Sequence, residues 1–541
     1  MDAREVAVSS GTCFVRSFLV LDGRVRGTGA STPTCDLGDG WVFGRPFVLR
    51  STGAGHLEEM LRNLDGKFSV VLRWDEEWVV ATDLLGAGPV YYRDDTARVV
   101  LGTHLGPVAR AAPLELDERA TMVAATTGIV LGGQTPYASV RRLLDGEYLV
   151  LDQSMSRIVR RGRYAALGAI AGGPQRSRKP GNPQKLAKLI RAAVAREGRV
   201  GALFLSAGQD SQAVALGLRE RRRASVTALT YGGWRSFDRL AAPYVAEQLG
   251  MPSRKVGPRE LDPFDHWDTV VELGGGSVGL QATQHIAGAA VAGDLFPVAL
   301  HGYLGDALTG MHFATTRSLR GVMAHFTHLG AAYSAALRHQ HPQLYDQAVD
   351  AFEQELARWS RLSFPRRHHM VNLLHRQPQR IAETFTLMHQ HVEIASPFFN
   401  RALIRYLLTR DADSLRDQAL YRETLRRMGR VDPAGFDSRR LRVARLVDRQ
   451  RGGYQTVDWA RILRRHRRLM GALVTSIEHP LLRSLAELPR PASPTPPTLA
   501  LRDPHRRHAP AGPPRPCPGL GSTLSWCPRS GYASYAPVGP M

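Results

Sequence analysis

Between residues 68 and 100 the chain alternates short apolar runs with polar breaks: 68–72, 78–82 and 90–92, separated by acidic residues and Gly/Pro turns. Period-two alternation broken by such turns predicts an antiparallel sheet. After Tyr164 the texture changes through a Gly-, Pro-, Arg- and Ser-rich stretch, 172–183, that reads as a linker. A helix is expected over 184–197, where Leu186, Leu189, Ile190, Ala193 and Val194 recur at helical spacing. Buried strands are then expected at 200–205, 226–230 and 297–300, with helices at 211–222 and 238–249. Alternation of this kind predicts a parallel sheet with helices on its faces. From about 315 to 470 the pattern is mainly helical. Beyond Pro489 it collapses into Pro, Arg, Ser and Gly, which predicts a disordered or aberrant tail over 490–541.

Composition narrows the class. At 541 residues, 43% hydrophobic and 22% charged, the chain has material for two ordinary domains. No apolar run is long enough to span a bilayer and no signal-peptide pattern opens the chain, so a cytoplasmic protein without membrane insertion is expected. Cys13, Cys35, Cys517 and Cys527 show no metal-ligand spacing or disulfide framework. The net charge of +22 raises the question of a polyanionic partner. Only five of the 71 basic residues are lysine, however, and no aromatic interleaving or reading motif accompanies them, so nucleic-acid binding is not expected. The densest cluster, Arg461, Arg464, Arg465, Arg467 and Arg468, is either a binding face or a solvated helical face.

Chemistry concentrates in residues 203–211, Leu-Phe-Leu-Ser-Ala-Gly-Gln-Asp-Ser, a small polar loop between a strand and a helix. Backbone N–H groups there suit an anion, with hydroxyls from Ser206 and Ser211 and close approach allowed by Gly208. Asp210 would repel a phosphate unless a cation such as Mg²⁺ stood between them. A plain strand-to-helix turn is the alternative. The loop resembles the Ser-Gly-Gly-x-Asp-Ser loop of ATP pyrophosphatases, with Ala207 replacing one glycine. Residues 301–310, His-Gly-Tyr-Leu-Gly-Asp-Ala-Leu-Thr-Gly, are similar to the second loop of asparagine synthetases, whose aspartate holds magnesium pyrophosphate; Asp306 takes that place.

Further similarities follow in order. Thr230 and Tyr231 stand where that family holds adenine, and residues 392–400, Val-Glu-Ile-Ala-Ser-Pro-Phe-Phe-Asn, resemble a packing segment of the family. Residues 65–68 and 82–92 resemble the sheet of its glutamine-hydrolysing domain. The resemblance spans about 60–480 and implies ATP and Mg²⁺ as cofactors, with Leu205, Ser206, Gly208, Asp210, Ser211, Thr230, Tyr231 and Gly302 at ATP and Asp210 and Asp306 at the metal. It implies an α+β then α/β architecture: a degenerate nucleophile-hydrolase-like β-sandwich at 1–165, a linker at 166–183 and an ATP-pyrophosphatase domain at 184–480.

The match fails where glutamine hydrolysis needs an N-terminal cysteine, because the chain reads Met1-Asp2-Ala3 and Cys13 has no free α-amine. Cys13 is expected to be structural, and the first domain a glutaminase relic. β-Lactam and lasso-peptide macrolactam synthetases share that loss. In the former a tyrosine three residues before the loop aspartate pairs with a glutamate; Tyr303 matches it, with Glu383, or alternatively Glu393, as partner. Residues 448–454, Asp-Arg-Gln-Arg-Gly-Gly-Tyr, resemble a lasso-cyclase element whose lysine is replaced here by Arg451. Arginine keeps the charge but not the shape. The expected activity is amide synthesis through an acyl-adenylate, most specifically macrolactam formation on a ribosomal precursor peptide supplied by a leader peptidase. An ammonia-using asparagine-synthase-like enzyme and a non-catalytic nucleotide-binding relative are the alternatives.

Overall fold

The computed structural model describes residues 4–5, 12–21, 24–30, 37, 39–49, 56–93, 99–127, 129–171, 179–232, 237–257, 263–278, 282–311, 313 and 338–433. Among these, eleven strands between Arg4 and Arg163 hydrogen-bond into one sheet. Its neighbours are antiparallel except where Thr12–Leu21 runs parallel to Gly40–Gly44. Side-chain alternation shows how the sheet is bent. Trp41, Phe43, Val71, Val80 and Leu149 share one core with Phe18, Val20, Tyr92 and Leu101 from the other half. The opposite faces lie in two separate cores. Val70, Leu72 and Val79 pack beneath the helix Leu57–Asn63, while Tyr91 and Val100 pack beneath Leu105–Ala109. The expected sandwich is thus one curled sheet folded over its own inner face, its halves joined through the parallel pair rather than split in two.

One turn in this sheet is held by a single carboxylate. After the strand Glu77–Thr82, Asp83 accepts N–H bonds from Leu85 (2.8 Å), Ala87 (3.1 Å), Gly88 (2.6 Å) and Phe68 (3.3 Å). Gly88 is required there because a Cβ would lie 2.0 Å from the Phe68 carbonyl oxygen.

The second sheet is wholly parallel. Its strands stand in the order Ser253–Val256, Thr227–Tyr231, Ala202–Phe204, Val298–Leu300 and Glu393–Ala395. Numbered by their sequence within this sheet, that order is 3-2-1-4-5, so the chain reverses direction across the sheet between Ala202–Phe204 and Val298–Leu300. The helix Pro183–Arg196 begins with an Asn182 cap that accepts the Lys185 N–H at 2.9 Å, and it buries Leu186, Ile190 and Val194 against the sheet. The helix expected at 211–222 instead begins at Gln209 and ends at Gly217. Leu218 turns extended and stays buried, and a short exposed helix, Glu220–Arg223, follows.

The helical pattern after 315 is borne out over 338–433. The helix Phe364–Val371 passes into a π-helical stretch, Asn372–Ala382, and then into Glu383–Met388. Pro378 lies inside the wide turns, where its missing N–H and its ring would break a regular α-helix. The two sheets are tied by buried polar contacts. Arg45 bonds Glu197 through Nε (3.1 Å) and Nη2 to its carbonyl (3.0 Å), and also pairs with Glu393. Gln379 pairs with both backbone groups of Val130, at 2.7 and 2.5 Å. No helix among the described residues is long and apolar enough to cross a membrane. Cys13 lies in the strand Thr12–Leu21; Asp2, Cys35, most of the 172–183 linker, Arg451, the basic 461–468 cluster, Cys517, Cys527 and the 490–541 tail lie outside the described residues.

Candidate active site

In an open parallel sheet, loops at the carboxyl ends of strands diverge where the strand order reverses, leaving a crevice. Here those loops are 205–208 and 301–304, the two segments singled out by their residue types. The sequence-distant pair Asp210 and Asp306 meets at this point: the Asp306 N–H donates to Asp210 Oδ2 at 2.9 Å. Two glycines make the approach possible. A Cβ on Gly302 would lie 2.6 Å from the Asp210 carbonyl carbon, and one on Gly305 would lie 2.7 Å from the Asp210 carboxyl. Leu304, at φ 77°, sits in the left-handed region and turns the second loop into the short helix Gly305–Thr309.

Burial pushes the Asp210 carboxyl well above the usual carboxylate range, and the nearby Asp306 charge pushes the same way. Tyr421 opposes this, its hydroxyl donating to Asp210 Oδ1 at 2.9 Å, as do the Asp306 N–H and the charge of Arg430. Two carboxylates without a third acidic, His or Cys neighbour among the described residues suit magnesium, which takes one or two protein carboxylates and fills its shell with water and phosphate.

The first loop is largely tied by its own groups. Ser211 Oγ accepts the Ser206 N–H (3.1 Å) and lies 3.0 Å from Ser206 Oγ, which in turn accepts the Gly208 N–H (3.0 Å). The Ala207 N–H is taken by Asp238 at 3.0 Å, so it is not among the amides turned toward the crevice. The first-turn amides of the helix Gln209–Gly217 have no acceptor within their own helix and are the donors an anion at this end would meet. Leu205 is buried; its N–H bonds the Leu229 carbonyl and its own carbonyl accepts the Thr230 hydroxyl at 2.8 Å. Thr230 therefore ties two strands together with its side chain. Tyr231 crosses edge-on to Phe204, and its hydroxyl lies 2.5 Å from His285 Nδ1.

The structure does not pair Tyr303 with Glu383: their hydrogen bonds go to different partners. The Tyr303 hydroxyl donates to the Gln377 carbonyl at 2.8 Å, and its ring packs on Phe385 with centroids 4.6 Å apart. Glu383 accepts the Ser277 hydroxyl at 3.1 Å. Burial raises both side chains well above their usual pKa ranges. Glu393, the alternative partner, is engaged by Arg45 at the boundary between the sheets. Asp238, Tyr421, Arg430 and Arg142 carry no sequence signal that would place them at this site, because the contacts that bring them there are long-range.

Residues 185–431 match the family model described as asparagine synthase. No curated protein matches the chain. One solved structure, titled "structure of the allosteric regulatory enzyme of purine biosynthesis", aligns at 12% identity and a TM-score of 0.14, over 39% of this chain and 52% of that one. The chain thus spans about half the length of that protein. The family match encloses both loops, the two aspartates, Tyr303 and Glu383. Residues 185–431 are accordingly a domain of the asparagine synthase family.

Proposed function

We propose that the chain is an ATP-dependent amide synthetase that activates a carboxylate as an acyl-adenylate and joins it to an amine without hydrolysing glutamine. The observation that carries this reading is the meeting of Asp210 and Asp306 at the switch point of the parallel sheet. Bound magnesium would neutralise the triphosphate there and ease the departure of pyrophosphate. Asp210 and Asp306 would hold that ion. The first-turn amides of Gln209–Gly217 would orient phosphate oxygens, and Ser206 and Ser211 keep the loop closed around them. The packed rings of Tyr303 and Phe385, both buried, would keep water from that side of the site.

The finer assignment is macrolactam formation on a ribosomal precursor peptide, with Arg451 supplying positive charge to the transition state. It rests on the resemblance of the 448–454 segment to the lasso-cyclase element. The decisive measurement is pyrophosphate release from ATP against a panel of amino acids and peptides. Asp210→Asn and Asp306→Asn should each abolish release while circular dichroism stays unchanged. Full release by either variant would remove the metal-bridging role.

A further inference from the structure

Charged residues buried between the two sheets call for an explanation, because apolar replacements of buried ion pairs are often neutral or stabilising. This boundary nevertheless holds a cluster of four charged residues, of which Asp83, Arg142 and Glu383 are buried and Lys67 is half-buried. Lys67 follows the turn before the strand Phe68–Trp74, Asp83 holds the turn after Glu77–Thr82, and Arg142 ends the strand Arg141–Arg142. Glu383 comes from the other side, at the start of the helix after the π-helical stretch.

The geometry around Glu383 is incomplete in a specific way. Ser277 satisfies Oε2, but Oε1 is buried without a hydrogen-bond partner and lies 4.0 Å from Nε of Arg142, which is likewise buried without one. Arg142 is itself fixed, since its Nη2 donates to the Gly86 carbonyl at 2.6 Å. Lys67 lies within electrostatic reach of Glu383, Asp83 and Arg142, and Arg142 within reach of Tyr303. Asp83 is saturated by four backbone N–H groups. Glu383 is therefore the carboxylate of the cluster with an unused oxygen, and the cations that act on it, Arg142 nearest, come from the N-terminal half.

We infer that Arg142 is a positioning residue for amide formation, with Lys67 behind it: the N-terminal sheet orients Glu383 and holds it ionised, so that Glu383 can take a proton from the attacking amine. This rests on the proposed synthetase reading and adds a role for the N-terminal half. A proton passes from the ammonium form of the amine to Glu383, the neutral amine attacks the acyl-adenylate carbonyl to form the C–N bond, AMP leaves with the electron pair of the broken C–O bond, and the second proton, lost from the attacking nitrogen, goes to the departing AMP phosphate. The groups that act on Glu383 are Arg142 and Lys67 from the N-terminal half and Ser277 from the other half.

The test compares two amines in the full-length protein, using the carboxylate from the panel that gives the most pyrophosphate release. Ammonium chloride must lose a proton before it attacks, whereas hydroxylamine is already neutral near pH 7. Arg142→Gln should lower kcat with ammonium by about a hundredfold, the lower end of what a positioned base contributes. It should leave hydroxamate formation, pyrophosphate release and the KM for ATP within about threefold, and Arg142→Lys should recover part of the loss. Equal losses with both amines would show a merely structural role and overturn the inference, as would no loss with either. A second arm needs no substrate. The infrared C=O band of a protonated carboxyl, identified by its absence in Glu383→Gln, should persist to a pH about 1–3 units higher in Arg142→Gln than in the wild type. An unchanged midpoint overturns the inference. If no carboxylate elicits pyrophosphate release, the synthetase reading is what has failed, and the infrared arm still decides whether Arg142 controls Glu383.

Discussion

Arg45→Met tests how the two halves are held together. The guanidinium gives Glu197 two hydrogen bonds, one to Oε2 at 3.1 Å and one to its carbonyl at 3.0 Å, and it also pairs with Glu393; all three side chains are buried. Methionine fills much of the volume and supplies none of the donors. Removing one partner of a buried ion pair costs about 3–5 kcal/mol, because the remaining charge stays desolvated. Arg196 still acts on Glu197 electrostatically, which places the expected loss at the lower end, about 3 kcal/mol. With urea slopes of about 2–3 kcal/mol/M, the midpoint should fall by about 1–1.5 M, read by circular dichroism and tryptophan fluorescence. The pH dependence has a definite sign. Burial raises the Glu197 carboxyl above its ordinary value of 4.5 while Arg45 pulls it back, so the variant should raise it further. A raised carboxyl contributes stability that is fully present below the unfolded value and lost as pH rises through the folded one. The deficit of Arg45→Met should accordingly be smallest in acid and widen toward neutral pH. Replacing Glu197 and Glu393 by Gln in the same variant should recover most of it. A loss below about 1 kcal/mol at neutral pH, or a deficit that does not shrink on acidification, would refute the argument.

Three other outcomes are expected. Gly305→Ala places a Cβ 2.7 Å from the Asp210 carboxyl and 2.9 Å from the Phe398 ring, so pyrophosphate release should fall at least about tenfold while overpacking costs about 1–3 kcal/mol of stability; wild-type release would mean that the glycine is not needed for the aspartate pair. Glutamine should yield no glutamate above background, and Cys13→Ala should change nothing; hydrolysis abolished by that substitution would assign Cys13 a catalytic role. Arg451→Ala should slow amide formation about a hundred- to a thousandfold with ATP affinity kept, and Arg451→Lys should hold or raise the rate, whereas Arg465→Ala should do neither. If both Arg451 variants behave like Arg465→Ala, Arg451 has no part in the reaction.

The three central strands of the parallel sheet were legible because each is a short apolar run closed by small or polar residues, and because the two chemically distinctive loops directly follow two of them; the edge strands Ser253–Val256, which reads Ser-Arg-Lys-Val, and Glu393–Ala395 were not expected. What linear pattern could not supply was proximity. Strand order determines that loops 96 residues apart stand side by side, and only then does the Asp306 N–H reach Asp210. The Ala207 amide illustrates the reverse case: loop composition pointed it at an anion, but Asp238, from the helix after the next strand, captures it. Tyr421 and Arg430 were invisible for the same reason, since nothing near 421 or 430 in the sequence refers to residue 210. The curled sheet was read as a sandwich because side-chain alternation reports which face a residue occupies, not whether the strands of two layers are joined by hydrogen bonds.

The boundary between the halves carries a consequence for how such a chain can change. If the N-terminal sheet served only as a scaffold, its contacts with the family domain would be free to drift toward apolar packing, which satisfies burial without desolvating charge. Arg45, Gln379 and Arg401 already supply a polar clamp across the boundary, with Arg401 bonding the Leu64 carbonyl and its N–H bonding Asp65. Buried Arg142 and half-buried Lys67 add two further cations that this clamp does not require. Burial draws the Lys67 ammonium down to about 8, so its charge costs the protein more than an exposed lysine would. Paired with the unsatisfied Oε1 of Glu383, that cost is understandable if the carboxylate they face has work to do, and the two-amine comparison separates that explanation from simple packing.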